Sequence, residues 1–270
     1  MRSAAVEARA YQLVQELAPE VAQIIQSAIC SPFRSAQKSR AADWVTDLDV
    51  NIETEVRRRL SLAFPDHRIV GEEAGVSGDA HAVYAWYIDP IDGTNNFAHR
   101  IAWNAFSVAL LYQGTPVVGA VAYPYQQEIF HAWAGHGAFV NQVPLQIPPS
   151  GPWPGSIVMT ELSNASWWPG QIEIMQQLAG QEIMVRIMGS SALAVIQVAR
   201  GAAQGAVLGQ ASLIDVAAAV LIAQEAGCAM RGESQMVGGF PDGALVVAPP
   251  DQISSLAEIV FHARSSYRQG

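Results

Sequence analysis

The sequence predicts an α+β fold, with an antiparallel sheet in its first half, a mixed sheet in its second, and helices burying both. Three observations predict it. Residues 4 to 30 carry apolar side chains at helical spacing. Short apolar runs separated by turn signals fill the stretch from Arg68 to Ala132. Beyond Gly155, strands and helices alternate.

Leu13, Leu17, Val21, Ile24, Ile25 and Ala28 mark the first helix. Pro19 inside it predicts a kink or break, because proline donates no N–H and crowds the preceding turn. A second helix is expected from Val50 to Phe64, with Val50, Val56, Leu60 and Phe64 on one face and Pro65-Asp66 ending it. Arg68-Ile69-Val70 and Val83 to Ile88 read as strands, followed by Phe106 to Tyr112, Val117 to Ala122 and Glu128 to Ala132. Gln113-Gly114 and Pro124 are the turn signals that suggest hairpins. Pro144, Pro148, Pro149, Pro152 and Pro154 form the one linker-like stretch, which divides the chain into domains 1–147 and 148–270. After it come a strand at Ser156 to Met159, a helix at Ile172 to Leu178, a strand at Met184 to Arg186 and a helix at Ala192 to Arg200. A strand at Ala206 to Leu208, a helix at Leu213 to Ala226 ended by Gly227, a strand at Ala244 to Ala248 and a helix at Gln252 to Ala263 complete the chain.

Composition bounds the function. Half of the 270 residues are hydrophobic and 14% are charged, which excludes a disordered chain. So small a charged fraction is compatible with an oligomer interface. The net charge of −9 argues against a nucleic-acid partner. Arg57-Arg58-Arg59 is the one basic run, and beside Glu53 and Glu55 it reads as a solvated helix face. Cys30 and Cys228 are too far apart for a metal or disulfide framework and read as buried thiols. Early acids (Glu7, Glu16, Glu20) argue against a signal peptide, and Val216 to Ala223 is too short to span a bilayer. A cytoplasmic protein with no membrane partner is therefore expected.

The chemistry-bearing residues are acidic. The apolar run Val83 to Ile88 delivers Asp89, and Asp92 follows three residues later, before Gly93-Thr94. Two carboxylates this close repel unless a cation lies between them, and Mg²⁺ accepts carboxylates, carbonyls and water. Pro90 fixes a turn in which the Ile91 carbonyl can face the ion, and Gly93-Thr94 opens a short helical segment whose N–H groups can hold a phosphate. Asp-Pro and Asp-Gly are also ordinary turn signals. The Asp-x-Asp-Gly-Thr motif of haloacid-dehalogenase-type phosphatases is one residue shorter, so an aspartyl-nucleophile reading misplaces the second Asp. Glu72-Glu73, at a strand end, can reach the same ion or simply be surface charge. Asp215 fits a capping box with Ser212, and Asp47 and Asp49 fit helix caps.

Taken together, Lys38, Thr46, Asp49, Gly71-Glu72-Glu73, Trp86 through Arg100, Gly189-Ser190-Ser191-Ala192 and Asp215-Val216-Ala217-Ala218 resemble the inositol monophosphatase family in order and spacing. These are Mg²⁺-dependent, Li⁺-sensitive phosphatases, and the wider family includes fructose-1,6-bisphosphatase-like members. The resemblance implies a layered αβαβα sandwich of the sugar-phosphatase type, a homodimer, and a small phosphorylated metabolite as substrate. It implies two or three Mg²⁺ ions held by Glu72, Asp89, the Ile91 carbonyl, Asp92 and Asp215. The first domain would then carry most of the metal ligands and the second would complete the active site. Glu72, Thr94 and Asp49 would be catalytic, with Asp49 orienting Thr94 to activate water. Gly93, Thr94, Gly189, Ser190 and Ser191 would contact phosphate or substrate.

The sequence departs from that pattern at three places, one of them Ser190-Ser191 in place of the more usual Thr-Ala or Ser-Ala pair, which could add a substrate contact. Ile214 replaces the Trp before the last metal-binding Asp, and Leu208 replaces the Glu that contacts sugar hydroxyls in inositol-specific members. An apolar residue accepts no hydrogen bond, so fructose-1,6-bisphosphate and phosphoadenosine phosphate stand as alternative substrates. Trp153, Trp167 and Trp168 could stack on a ring or pack in a core. A phosphate- or metal-binding regulator without catalysis is the alternative of another class.

Overall fold

The structure, a computed structural model, describes residues 2–37, 44–162, 166–233, 240 and 243–269; Lys38 lies outside the described residues. In chain order the elements are α1 (Ala4–Ala28), β1 (Ser35–Gln37), β2 (Trp44–Thr46), α2 (Asp47–Ala63), β3 (Arg68–Gly71), β4 (Gly75–Ser77), β5 (Tyr84–Asp92) and α3 (Thr94–Ala98). Then follow β6 (Ala105–Tyr112), β7 (Thr115–Tyr123), β8 (Glu128–Trp133), β9 (Ala138–Val140), β10 (Val143–Leu145), β11 (Ile157–Thr160), α4 (Gln171–Gly180) and β12 (Met184–Ile187). The last are α5 (Ser191–Ala199), β13 (Gly205–Leu208), α6 (Leu213–Glu225), β14 (Ala229–Gly232), β15 (Leu245–Ala248) and α7 (Ile253–Gln269).

One sheet has eight strands in the order β10-β9-β8-β7-β6-β5-β3-β4, and all its neighbours are antiparallel except the parallel pair β3–β5. A second has the order β12-β11-β13-β15-β14, parallel at β12-β11-β13 and antiparallel beyond, and β1 and β2 form a small antiparallel pair of their own. Helices α1 and α2 cover the outer face of the first sheet, and α4 and α7 the outer face of the second. Helices α5 and α6 lie between the sheets, in a core that joins both halves of the chain. This is the five-layer αβαβα arrangement the sequence implied.

Helix α1 runs unbroken through Pro19. Its buried stripe continues across the proline through Leu17, Ala18, Val21 and Ala22, and that packing holds the turn despite the lost hydrogen bond. Helix α2 starts earlier than expected. Thr46, rather than Asp47 or Asp49, is the N-cap: Asp49 N donates to Thr46 Oγ1 (3.4 Å) and Thr46 N donates to Asp49 Oδ2 (2.8 Å), a reciprocal capping box. Val50 is 47% exposed, and Ile52 takes its place on the buried face. Cys30 is exposed because it follows the end of α1 in a turn, while Cys228 is buried. Arg58 and Arg59 pair with surface glutamates as a solvated face would, but Arg57 turns inward onto buried Glu53 (2.7 Å).

Candidate active site

Strand β5 does not stop at Ile88; it runs through Pro90 to Asp92 with a bulge. Asp89 pairs with Ser107 and Asp92 with Ala105, so three steps on β5 match two on β6. Side chains alternate along a strand, and residues three apart normally face opposite ways. The one extra residue reverses the parity. Trp86, Ile88 and Ile91 therefore pack toward α1 and α2, while Asp89 and Asp92 line one cavity of about 310 Å³.

Glu72, Ile91, Gly93, Thr94, Gly189 and Asp215 line the same cavity, so the structure brings together most of the residues singled out by sequence. Asp49 joins them one layer back. Thr94 Oγ1 lies 3.1 Å from Asp49 Oδ1 and 2.8 Å from the Ile91 carbonyl oxygen. The Thr46 hydroxyl donates to Asp49 Oδ2. Glu72 sits in the exposed turn between β3 and β4, at the cavity edge.

Asp92 is gripped by the start of α5. Its Oδ2 accepts from Ser190 Oγ (2.5 Å) and Ala192 N (2.7 Å), and its Oδ1 accepts from Ser191 N (3.2 Å). Ser190, buried, thus spends its hydroxyl proton on Asp92 while its oxygen caps α5 through Leu193 N (3.2 Å). Gly93 has φ of 93°, and a Cβ there would stand 2.7 Å from the Gly189 carbonyl oxygen, so only glycine fits between the two loops. Asn96 ties them together, donating to the carbonyls of Met188 (2.6 Å) and Trp103 (2.8 Å).

Burial is the first cause of every strong electrostatic shift here. It raises Asp49 to about 6, against the bonds from Thr46, and Asp92 to about 7, against those from Ser190 and Ala192. Burial, then the charges of Asp92 and Glu72, raises Asp215 to about 7. Asp89 is pushed well up by burial and then by Glu72, Asp92, Asp215 and Asp49, and its Oδ1 has no hydrogen-bond partner. Among the described residues no three His, Cys, Asp or Glu side chains close into a ready-made cage.

Sequence reasoning missed Glu161. It lines the cavity and is 7% exposed, and it accepts from Gly189 N (2.6 Å) and Met188 N (3.4 Å), which holds the loop ahead of α5. Burial lifts it to about 7. Its signal was position: it follows β11, whose neighbours β12 and β13 are parallel to it, and carboxyl ends of such strands border ligand crevices. Leu208 is buried in the middle core and borders a small side cavity shared with Glu161 and Leu162. Trp168 is also core: its Nε1 donates to the Glu161 carbonyl (3.0 Å), and Arg264 lies over its ring. Trp167 is 53% exposed, and Trp153 packs partly buried against the outer core of the second sheet.

Five alternating layers with an acid-lined cavity at the junction of the two sheets define a phosphatase-type sandwich. The chain belongs to the inositol monophosphatase family, a family of phosphomonoesterases, whose model matches residues 7–262. It is 34% identical over 193 residues to an inositol-1-monophosphatase of Synechocystis, spanning 71% of this chain and 67% of that one. It is 30% identical over 220 residues to a putative Nus factor SuhB of Neisseria meningitidis, spanning 81% and 84%. The crystal structure of an IMPase/NADP phosphatase complexed with Mg²⁺ and phosphate superposes with a TM-score of 0.77 at 23% identity, covering 89% of this chain and 90% of that one. Among the described residues no helix is long and apolar enough to cross a membrane.

Proposed function

We propose that this protein hydrolyses a small phosphate monoester with Mg²⁺, by attack of a metal-activated water, in the manner of an inositol monophosphatase. The observation that carries the reading is Asp89, 3% exposed, with one oxygen unpartnered and four acids acting on it. A buried carboxylate in that position needs either a proton or a cation. The donor set fits a hard divalent ion: it consists of oxygens only, from Glu72, Asp89, the Ile91 carbonyl, Asp92 and Asp215. What Mg²⁺ supplies in such a site is charge neutralisation and a water of lowered pKa.

The chain's own groups do the rest. The Thr94 hydroxyl has one proton and two acceptors in reach, Asp49 and the Ile91 carbonyl. With the carbonyl engaged as a ligand, that proton goes to Asp49, and Thr94 Oγ1 is left as acceptor for the attacking water. Backbone N–H groups at Gly93 and Thr94 hold the phosphate, and Glu72 at the rim takes part in activating the water. Ser190 and Ser191 fix Asp92, and Gly189 leaves room for the Asn96 amide, which a Cβ there would approach to 2.9 Å.

The test is phosphate release from inositol monophosphates, sugar phosphates, histidinol phosphate, fructose-1,6-bisphosphate and nucleotide 3′-phosphates, with Mg²⁺, with EDTA and with added Li⁺. Mg²⁺-dependent turnover suppressed by Li⁺ is expected. No turnover on any ester, or turnover indifferent to EDTA, overturns the proposal. Some relatives carry a Nus factor name, but the complete acid set Glu72, Asp89, Asp92 and Asp215 favours catalysis over a silent regulator. We also expect a cytoplasmic homodimer, and light scattering at twice the 28.9 kDa chain mass checks its oligomeric state.

A further inference from the structure

Glu53 is a glutamate with 1% exposure that the proposed chemistry does not use. It lies one helical turn after Asp49 on α2. Its Oε2 accepts from Glu73 N (2.7 Å), and its Oε1 from Ala74 N (2.9 Å) and Arg57 Nε (2.7 Å). Arg57 continues the clamp, donating to Ser77 Oγ (2.9 Å) and to the Gly75 carbonyl. The N–H of Glu73 belongs to the peptide that carries the Glu72 carbonyl, so binding it fixes the backbone on the C-terminal side of Glu72. On the other side stands Gly71, where a Cβ would lie 2.5 Å from the Glu53 carboxyl carbon and 2.8 Å from Arg57 Nη2. Glu53 therefore binds the backbone that follows Glu72 and packs against the glycine that precedes it.

We propose that Glu53, aided by Arg57, is a positioning residue that aims Glu72 at the metal site and, through α2, sets its distance from Asp49 and Thr94. The proposal rests on the metal-site reading above. The charge is needed because the carboxylate accepts from three donors at once, and glutamine would present an N–H₂ to one of them.

The experiment is titration calorimetry of Mg²⁺ into the full-length protein, with melting temperatures in EDTA and steady-state kinetics on the best ester. Wild type, Glu53→Gln, Arg57→Met, Gly71→Ala and a core control, Val56→Ala, are compared. Glu53→Gln and Gly71→Ala should weaken Mg²⁺ binding about tenfold, the loss expected when support of a metal ligand is removed. At saturating Mg²⁺, kcat should still fall several-fold in these variants, because Glu72 also takes part in activating the water, while substrate KM stays within a few-fold of wild type. Val56→Ala should melt at least as early and bind Mg²⁺ as wild type does. If Glu53→Gln does not fold, Arg57→Met gives the same comparison. Wild-type Mg²⁺ affinity in the Glu53 and Arg57 variants overturns this inference and leaves the phosphatase reading standing. No Mg²⁺ binding by the wild type overturns both.

Discussion

Gly119 offers the sharpest probe of how the first sheet places Asp215. It sits in β7 between Ala109 and Ala132 on the neighbouring strands, and this row of small residues lets α6 approach the sheet through Ala218. In a Gly119→Ala variant the new Cβ would lie 2.9 Å from Ala218 Cα and 3.1 Å from Ala218 Cβ. Ordinary carbon contacts are about 3.5–4.0 Å, so α6 must move by roughly 0.5–1 Å. It cannot do so freely, because α5 and the second sheet back it on the far side. Overpacking of this kind costs about 1–3 kcal/mol, and the reduced freedom of the unfolded chain offsets about 0.4–1 kcal/mol. A net loss of about 1–2 kcal/mol should lower Tm in EDTA by roughly 2–8 °C for a chain of this size. Asp215 stands three residues before Ala218, in the first turn of α6, so the displacement reaches it. Calorimetry should show Mg²⁺ binding weakened several-fold. An unchanged Tm would refute the close helix–sheet packing, and a lowered Tm with unchanged Mg²⁺ affinity would refute its transmission to Asp215.

Asp89→Asn should abolish Mg²⁺-dependent turnover and stabilise the metal-free protein at neutral pH by on the order of 1–3 kcal/mol, because it replaces a carboxyl that burial and the neighbouring acids force to take up a proton on folding; thermal melts in EDTA and a phosphate-release assay check both halves. Thr94→Val should lower kcat about 10²- to 10³-fold while Mg²⁺ affinity stays within a few-fold, since it removes the hydroxyl that orients water and leaves the acids in place. Glu161, raised from its ordinary 4.5 to about 7 by burial, gives stability that is fully present below pH 4.5 and is lost as pH rises through 7. That contribution is about 3 kcal/mol, so Glu161→Gln should flatten the fall of metal-free stability between pH 4.5 and 7, as measured by urea melts across that range.

How far the sequence could be read depended on the range of the contact. The layers were legible because burial repeats along each element: α4, α5, α6 and the strands around them lie within a residue or two of their expected bounds. The four-residue acid-to-acid segment Asp89–Asp92 was legible because its chemistry is local. Pro19 misled because proline's cost is local and the packing that outweighs it is not. The short strands β9, β10 and β14, at or next to sheet edges, were illegible because three or four residues carry too little pattern. Asp92 shows the deeper limit. Nothing near it in sequence tells that Ser190 and Ala192, 98 and 100 residues later, will hold its carboxylate. Glu161 and the Glu53 clamp were missed for the same reason.

Those long-range contacts share one logic, which sets Asp89 apart. Asp49 sits in the first turn of α2, Asp92 at the start of α5, and Asp215 in the first turn of α6. Glu161 rests on the backbone N–H groups leading into α5. A helix N-terminus presents unpaired N–H groups and the positive end of the helix dipole, so each of these acids has fixed protein charge to lean on. Asp89 lies at a bulge in the middle of a strand pair, where no helix begins, and its Oδ1 receives no hydrogen bond. An acid with no helix terminus behind it, facing Glu72, Asp92, Asp215 and Asp49, is one that a bound cation would let ionise. The bulge that turns Asp89 and Asp92 to one face thus also gathers the negative charge that a cation would balance. Removing the one-residue parity shift, by deleting Pro90 or Ile91, should destroy Mg²⁺ binding even where the sheet still folds.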